Sequence, residues 1–226
     1  MIANLEQILT GKTREHLVPL PNPLSDKHFL QAEAVDAFLT LQQAAKAAGF
    51  NLQPASTYRD FDRQMLIWNA KFNGERKVHD DNGCAIDMAK LDDLQKIQAM
   101  MRWSAVPGSS RHHWGTEIDI FDPDLLPEGQ HLQLEPWEYQ TGSYFAPLAE
   151  WLHHNAERFG FYFPFDGIHN AKVGYELGIS VIVRFPPNMK SNSITRFCKN
   201  RGKMNRLPAK PAYSNILTGY LANFYN

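Results

Sequence analysis

The chain has 226 residues, of which 43% are apolar. That is enough to bury a core without help from disulfides or oligomerisation, so one compact domain with embellishments, acting as a monomer, is expected. Two cysteines, Cys84 and Cys198, have neither the number nor the spacing of a disulfide framework or a zinc knuckle and read as free thiols. No run approaches the roughly 18 apolar residues of a membrane helix, and the opening MIANLEQILTGKTREHL lacks the charged-then-apolar order of a secretion signal. Association with a membrane is therefore not expected, and a cytoplasmic location is; a start codon further upstream would make it periplasmic.

Residues Phe29 to Ala48 place Phe29, Ala32, Val35, Phe38, Leu39, Leu41 and Ala45 mostly three and four apart, with Gly49 where a helix would stop. An amphipathic helix follows from that spacing. Asn51 to Thr57 reads as extended, and a second helix runs from about Asp60 to Phe72 with Phe61, Met65, Ile67 and Trp68 for its buried side. Polar Asn73 to Gly83 is a loop, Lys90 to Trp103 a third helix, and Pro107-Gly108-Ser109-Ser110 a turn. Gly115 to Phe121 alternates as a strand does, and Asp122-Pro123-Asp124 ends it. A loop holding Pro127, Gly129 and Pro136 leads to a helix from about Tyr144 to Phe159, and Gly160 releases the chain into the aromatic strand FYFPF. Helices followed by separated strands, without a βαβ rhythm or repeats, predict an α+β domain: a small antiparallel sheet flanked by helices.

The net charge of −1 hides an asymmetry. From Gly178 onward there are eight Lys and Arg and no Asp or Glu, so the preceding 177 residues hold 15 basic against 24 acidic side chains. A tail of this kind can dock on nucleic acid by releasing counterions from phosphates. The alternative, preferred because the tail is also aperiodic, is that it was never selected as protein.

The segment Ser110-Arg111-His112-His113-Trp114-Gly115-Thr116-Glu117-Ile118-Asp119 carries the strongest chemical signal. A histidine at the end of a turn and an aspartate seven positions on, inside a strand, can bring an imidazole nitrogen and a carboxylate oxygen to one cation, and both donors suit zinc. Gly115 would let the backbone pass close to the metal, and Ser110 could fix a neighbouring group. The plain alternative makes His112 a satisfied core histidine and Asp119 a strand-end cap. In Ser56-Thr57-Tyr58-Arg59-Asp60-Phe61-Asp62-Arg63-Gln64 a strand runs into a helix, and Arg59 at the junction can grip a carboxylate or a polarised carbonyl with its fork of donors. Its plain alternative is a surface arginine paired with Asp60 or Asp62, with Ser56 as a helix cap.

Together the two segments resemble the VanY-like D-alanyl-D-alanine carboxypeptidases, zinc peptidases of the lysostaphin, D-Ala-D-Ala and hedgehog superfamily. The family patterns S-x-Y-R-x-x-x-x-Q and S-x-H-x-x-G-x-x-x-D both occur here, in that order, and the likeness spans roughly residues 20 to 177. The resemblance implies that His112 and Asp119 are zinc ligands, that Arg59 contacts the substrate near the scissile carbonyl, and that Ser56, Tyr58, Gln64 and Ser110 shape its surroundings. Many relatives carry a small residue in place of Glu117, a departure that bears on packing.

The family closes its site with E-P-W-H, in which the glutamate is the general base and the histidine the last zinc ligand. Here Tyr175-Glu176-Leu177-Gly178-Ile179-Ser180 keeps the glutamate, Glu176, but has Ile179 at the ligand position. Leu-Gly-Ile-Ser-Val-Ile-Val-Arg can be encoded by CTT GGC ATA TCA GTT ATC GTC CGT, and one C added in front reads Pro-Trp-His-Ile-Ser-Tyr-Arg-Pro. A single-base deletion after the Glu176 codon is therefore expected, leaving a peptidase-like domain over 1–177 and an out-of-frame tail over 178–226 in place of the native strand and helix. Glu135-Pro136-Trp137 imitates the lost motif but continues with Glu138, and His113 and His169 are weak substitutes for the missing ligand.

The implied activity is removal of the terminal D-alanine from peptidoglycan peptides by a zinc-dependent carboxypeptidase, impaired by loss of a ligand. The implied partner is a peptidoglycan peptide or muropeptide, not nucleic acid. D,D-carboxypeptidase, L,D-carboxypeptidase and endopeptidase specificities all stay open. The rival reading is a non-catalytic domain whose groove holds a cell-wall peptide through Arg59 without cutting it.

Overall fold

The structure is a computed structural model and describes residues 5–21, 23, 26–81 and 83–163, together with the backbone of 180–183. Glu176, His169 and Ile179 lie outside the described residues, as does the rest of the tail.

Five α-helices and six strands alternate with short 3-10 turns among the described residues. The helices are α1 (Leu5–Leu9), α2 (Ala32–Ala47), α3 (Phe61–Phe72), α4 (Asp93–Met101) and α5 (Ala146–Asn155). Strands β1 (Val18–Pro19) and β2 (Phe29–Leu30) make a small hairpin-like pair. Strands β3 (Gln53–Ser56), β4 (Glu117–Phe121), β5 (Phe161–Tyr162) and β6 (Ser180–Val183) form an antiparallel sheet in the order β3-β4-β6-β5. The expected α+β class, with a small antiparallel sheet and flanking helices, is what the chain adopts.

Strand β4 organises the molecule. Its sequence Glu-Ile-Asp-Ile-Phe alternates charged and apolar side chains, and a strand sends neighbours to opposite faces. Ile118 and Ile120 are fully buried in a core with Ala34, Val35, Phe38, Leu41 and Ala45 of α2, Leu52, Leu148 and Leu152 of α5, and Phe161. The apolar stripe of α2 falls at those three- and four-residue intervals because they repeat once per turn. Glu117 and Asp119 face the other way and carry the site.

Several boundaries differ from the sequence reading. Phe29 and Leu30 do not open α2; they pair with Val18 and Pro19, and Gln31 is the residue before the helix. The reason is local competition. The Phe29 N–H donates to Thr57 Oγ1 (3.2 Å) and its carbonyl accepts from the Tyr58 N–H (3.1 Å), so its backbone is committed to the 57–58 segment. The third helix starts later than expected, where Asp92 and Gln95 form a reciprocal capping box. The predicted helix from Tyr144 to Phe159 is an α-helix only over Ala146–Asn155 and tightens to a 3-10 turn before Gly160. In α3 the fully buried side chains are Gln64 and Trp68, whereas Phe61, Met65 and Ile67 are not fully buried.

No helix among the described residues is long and apolar enough to cross a membrane. Cys84 is a free, exposed thiol, as expected.

Candidate active site

Both motifs meet where β3 runs into α3 and where the turn before β4 crosses it. Asp60 starts α3 by accepting the Arg63 N–H at 2.6 Å, which fixes the angle at which Arg59 leaves the strand. In β3 the pairing with β4 slips between Pro54 and Ser56, so Ala55 is a bulge and Ser56 comes opposite Asp119. Bulges re-aim side chains in this way beside active sites. Proline at position 54 is tolerated because β3 is an edge strand.

The Arg59 guanidinium is held on three sides. Nη1 donates to Gln64 Oε1 at 2.8 Å, Nη2 donates to Ser56 Oγ at 3.0 Å, and Nη2 lies 3.6 Å from Asp119 Oδ2. Gln64 is buried and is itself fixed by its amide N–H on the Ala105 carbonyl at 2.7 Å. The plain reading of Arg59 as a surface arginine paired to Asp60 or Asp62 does not fit this geometry: its side chain is 19% exposed and its charge partner is Asp119.

His112 sits in the 3-10 turn Arg111–Trp114, which Ser110 caps by accepting the His112 N–H on its hydroxyl at 3.3 Å. Nδ1 of His112 lies 2.7 Å from the Thr57 carbonyl, an acceptor only, so Nδ1 carries the hydrogen. In the neutral ring this leaves the lone pair on Nε2, which faces Asp119 Oδ2 at 3.3 Å and Glu117 Oε2 at 3.6 Å. A histidine oriented by a carbonyl on one nitrogen and open on the other is the arrangement metal-binding histidines use. Two donors each about 2.05 Å from a tetrahedral zinc lie about 3.3 Å apart, so Nε2 and Oδ2 fit one zinc without rearrangement. Among the described residues, no three His, Cys, Asp or Glu side chains already stand close enough to hold a metal in common.

The remaining sequence candidates are placed as follows. The Tyr58 hydroxyl lies 3.1 and 3.2 Å from the carbonyls of Gly11 and Thr13, and burial, reinforced by Asp60 and offset by Arg14, pushes its pKa up to about 12. It ties the motif to the N-terminal segment. His113 is fully buried with both ring nitrogens in use: Nδ1 donates to the Arg59 carbonyl at 2.6 Å and Nε2 accepts the Gly108 N–H at 3.0 Å. Burial is the main reason its pKa falls to about 4, and the pull of the Arg59 carbonyl only partly opposes it. No nitrogen is left for a metal, so His113 is not a substitute ligand. Glu135 faces His79 Nδ1 at 3.0 Å, and its motif forms a separate 3-10 turn. Gly115 has φ +70°, and a Cβ there would lie 2.3 Å from Leu17 Cδ2; a left-handed turn and a packed leucine require this glycine.

Two contributors go beyond the motif residues. Glu117, a packing departure by the family pattern, is buried beside His112; period-two alternation from Asp119 is the signal that points to it. The other is the N-terminal strap. It accepts the Phe61 N–H on Gly11 O at 3.0 Å and the Trp114 indole N–H on Leu9 O at 3.2 Å, contacts that no local pattern announces.

Residues 27–177 match the family model of VanY, D-alanyl-D-alanine carboxypeptidase. An uncharacterised protein of Haemophilus influenzae is 65% identical over 100 residues, covering 44% of this chain and 68% of its own length. A putative carboxypeptidase of Bacillus subtilis, YodJ, is 28% identical over 139 residues, covering 60% of this chain; the chain spans 38% of that protein. Among solved structures, a mutant of the vancomycin-resistance D,D-pentapeptidase VanY in complex with Zn(II) is 25% identical with a TM-score of 0.50, over 74% of this chain and 77% of the other. VanYB in complex with D-alanine-D-alanine shares the fold at 23% identity and a TM-score of 0.53, over 74% and 82% of the two chains. With the family model covering two thirds of the sequence and both motifs meeting at one place, the chain belongs to the VanY family of D-alanyl-D-alanine carboxypeptidases.

Proposed function

We propose that this chain is the scaffold of a zinc-dependent carboxypeptidase that releases the terminal D-alanine of peptidoglycan peptides, and that Ile179 at the third ligand position impairs it. The observation that carries the reading is the cluster of His112, Asp119 and Arg59, with His112 held by Thr57 so that Nε2 faces Asp119 at 3.3 Å, and Arg59 within 3.6 Å of the same carboxylate. The structures of VanY with Zn(II) and of VanYB with D-alanine-D-alanine support the metal and the substrate class.

His112 and Asp119 would hold the zinc, which when bound polarises the scissile carbonyl and makes water a better nucleophile. Arg59, pre-set by Ser56 and Gln64, meets the negative charge that develops on the carbonyl oxygen without having to reorganise. Glu176 accepts a proton from the attacking water and passes it to the departing D-alanine amine.

A catalytic zinc needs three protein ligands and an open position. The test is the double change Gly178→Trp with Ile179→His, which restores the family pattern after Glu176. Zinc affinity and release of D-alanine from muropeptides, followed by mass spectrometry, are both expected to rise. A restored chain that binds muropeptides and leaves them intact would favour the non-catalytic peptide-binding reading instead. Resequencing the gene across the Glu176 codon decides whether the frame is broken there.

A further inference from the structure

We propose that Arg63 and Arg76, standing beside Arg59, make an anion subsite that selects peptides carrying a carboxylate on the residue before the terminal D-alanine. This rests on the carboxypeptidase reading and gives it a substrate preference that the two motifs do not state.

Arg63 and Ala70 are seven residues apart on α3, so they lie on nearly one side of the helix, about 10 Å apart along its axis. The chain leaves the helix at Asn73 and turns back, and the Arg76 N–H donates to the Ala70 carbonyl at 3.0 Å. Arg76 is thereby returned to the side of α3 that Arg63 occupies, with Arg59 just before the start of that helix. The electrostatics agree with this placement. Partial burial, then repulsion from Arg59 and from Arg63, lowers the pKa of Arg76, and attraction to Glu135 opposes them.

The three guanidinium groups differ in their partners. Arg59 is matched by Asp119 at 3.6 Å, whereas those of Arg63 and Arg76 make no hydrogen bond or ion pair among the described residues, and both residues are exposed. The acids nearby are engaged elsewhere. Glu135 Oε1 faces His79 Nδ1 at 3.0 Å, Glu75 accepts the Asn73 amide at 3.3 Å, and Asp60 accepts the Arg63 backbone N–H while its charge is felt by Tyr58 and His113. Like charges gathered without an anion repel one another, and an arriving carboxylate relieves that repulsion while accepting forked guanidinium donors. In the proposed mechanism Arg59 meets the scissile carbonyl, which belongs to the residue before D-alanine, so the side chain of that residue is the one beside the pair. The released D-alanine has no carboxylate besides its terminal one; a second anion can come only from the retained part of the peptide.

The experiment uses the full chain and two acetylated tripeptides, alanine–glutamate–D-alanine and alanine–glutamine–D-alanine, with affinities read by calorimetry at low salt. The glutamate peptide is expected to bind about fivefold more tightly, as suits exposed ion pairs, and to lose that advantage at about 0.5 M NaCl, where such charges are screened. In the double variant Arg63→Gln with Arg76→Gln the ratio of the two affinities should fall to about one, and with lysine at both positions it should stay above about two, because the charge is kept and only the fork is lost. A purely structural role would lower both affinities together and leave their ratio as it is; melting curves of the variants report folding. Equal affinity of the wild type for the two peptides, or a preference that survives the double glutamine change, overturns the inference and leaves the carboxypeptidase reading standing. No binding of either peptide, to this chain or to the form with Gly178→Trp and Ile179→His, overturns both.

Discussion

Gln64 and Arg59 are joined by a 2.8 Å hydrogen bond in which a buried amide oxygen, one turn into α3, receives a guanidinium N–H from the strand junction. The same amide is fixed through its nitrogen to Ala105 O, so the loop before His112 and the arginine share one anchor. Replacing Gln64 with Leu leaves a half-buried arginine donor without that partner and puts an apolar side chain where a buried amide joined Arg59 to the Ala105 carbonyl; losing a hydrogen bond to a charged group costs about 1.5–3 kcal/mol. Gln64→Glu is no milder a change, since a carboxylate has no N–H for Ala105. Expected outcomes for Gln64→Leu are a Tm lower by several degrees and, in the frame-restored chain, a fall in kcat with little change in zinc affinity, measured by calorimetry and D-alanine release.

Gly11 is a second sensitive point. With φ +70°, an added Cβ would lie 2.4 Å from His113 Nδ1 and 2.9 Å from the Phe61 backbone nitrogen. The second contact is to backbone and cannot swing away. Gly11→Ala is therefore expected to destabilise the fold by about 2 kcal/mol or more, combining left-handed strain with overpacking. Chemical denaturation checks this, and a midpoint equal to wild type would count against the packing of the strap on both motifs.

Acid should weaken the fold through His113. Its folded pKa, about 4, lies below the ordinary value of 6.5, so the unfolded chain binds a proton that the folded chain refuses. The stability is then fully present above pH 6.5 and is lost as pH falls from there toward 4, by about 3 kcal/mol once both forms are protonated. Urea melts at about pH 7 and about pH 4.5, on either side of most of that window, measure the loss. His113→Gln is expected to flatten that pH dependence while lowering stability at neutral pH, because the amide can imitate only part of the bridge between Arg59 O and Gly108 N.

Glu138 anchors the loop before α5. Its carboxylate accepts the N–H of Gln133 at 3.1 Å and of Glu135 at 2.9 Å, and it is bonded by the Tyr144 hydroxyl, whose pKa burial and this carboxylate push well above the usual phenol value. Hydrogen bonds to a charged group contribute about 1.5–3 kcal/mol each. Glu138→Ala is expected to cost about 3 kcal/mol overall and to leave zinc affinity unchanged, which a melting curve and a chelator competition read separately.

Much of this architecture is legible because it is local. The stripe of α2, the start of α3 at Asp60 and the alternation of β4 are each written in a few consecutive residues, and the two motifs identify His112, Asp119, Arg59, Ser56 and Gln64 without coordinates. What escapes is set by partners far along the chain. Phe29 reads as the first residue of a helix until Thr57 and Tyr58 take its backbone groups, 28 and 29 residues away. The buried side read for α3 omits Gln64, which Arg59 and Ala105 pull inward. Tyr58 reads as a site residue, and its hydroxyl is engaged by Gly11 and Thr13.

The alternation of β4 also bears on misfolding. A shift of that strand by a single residue would present Ile118 and Ile120 to His112 and drive the carboxylates of Glu117 and Asp119 against Phe38 and Leu41. Two ionised groups in oil are far more costly than any slipped hydrogen-bond ladder can offset. Proofreading of the strand's alignment and delivery of both acids to the imidazole are thus one event, so a molecule in which β4 has found its register already holds both carboxylates beside His112.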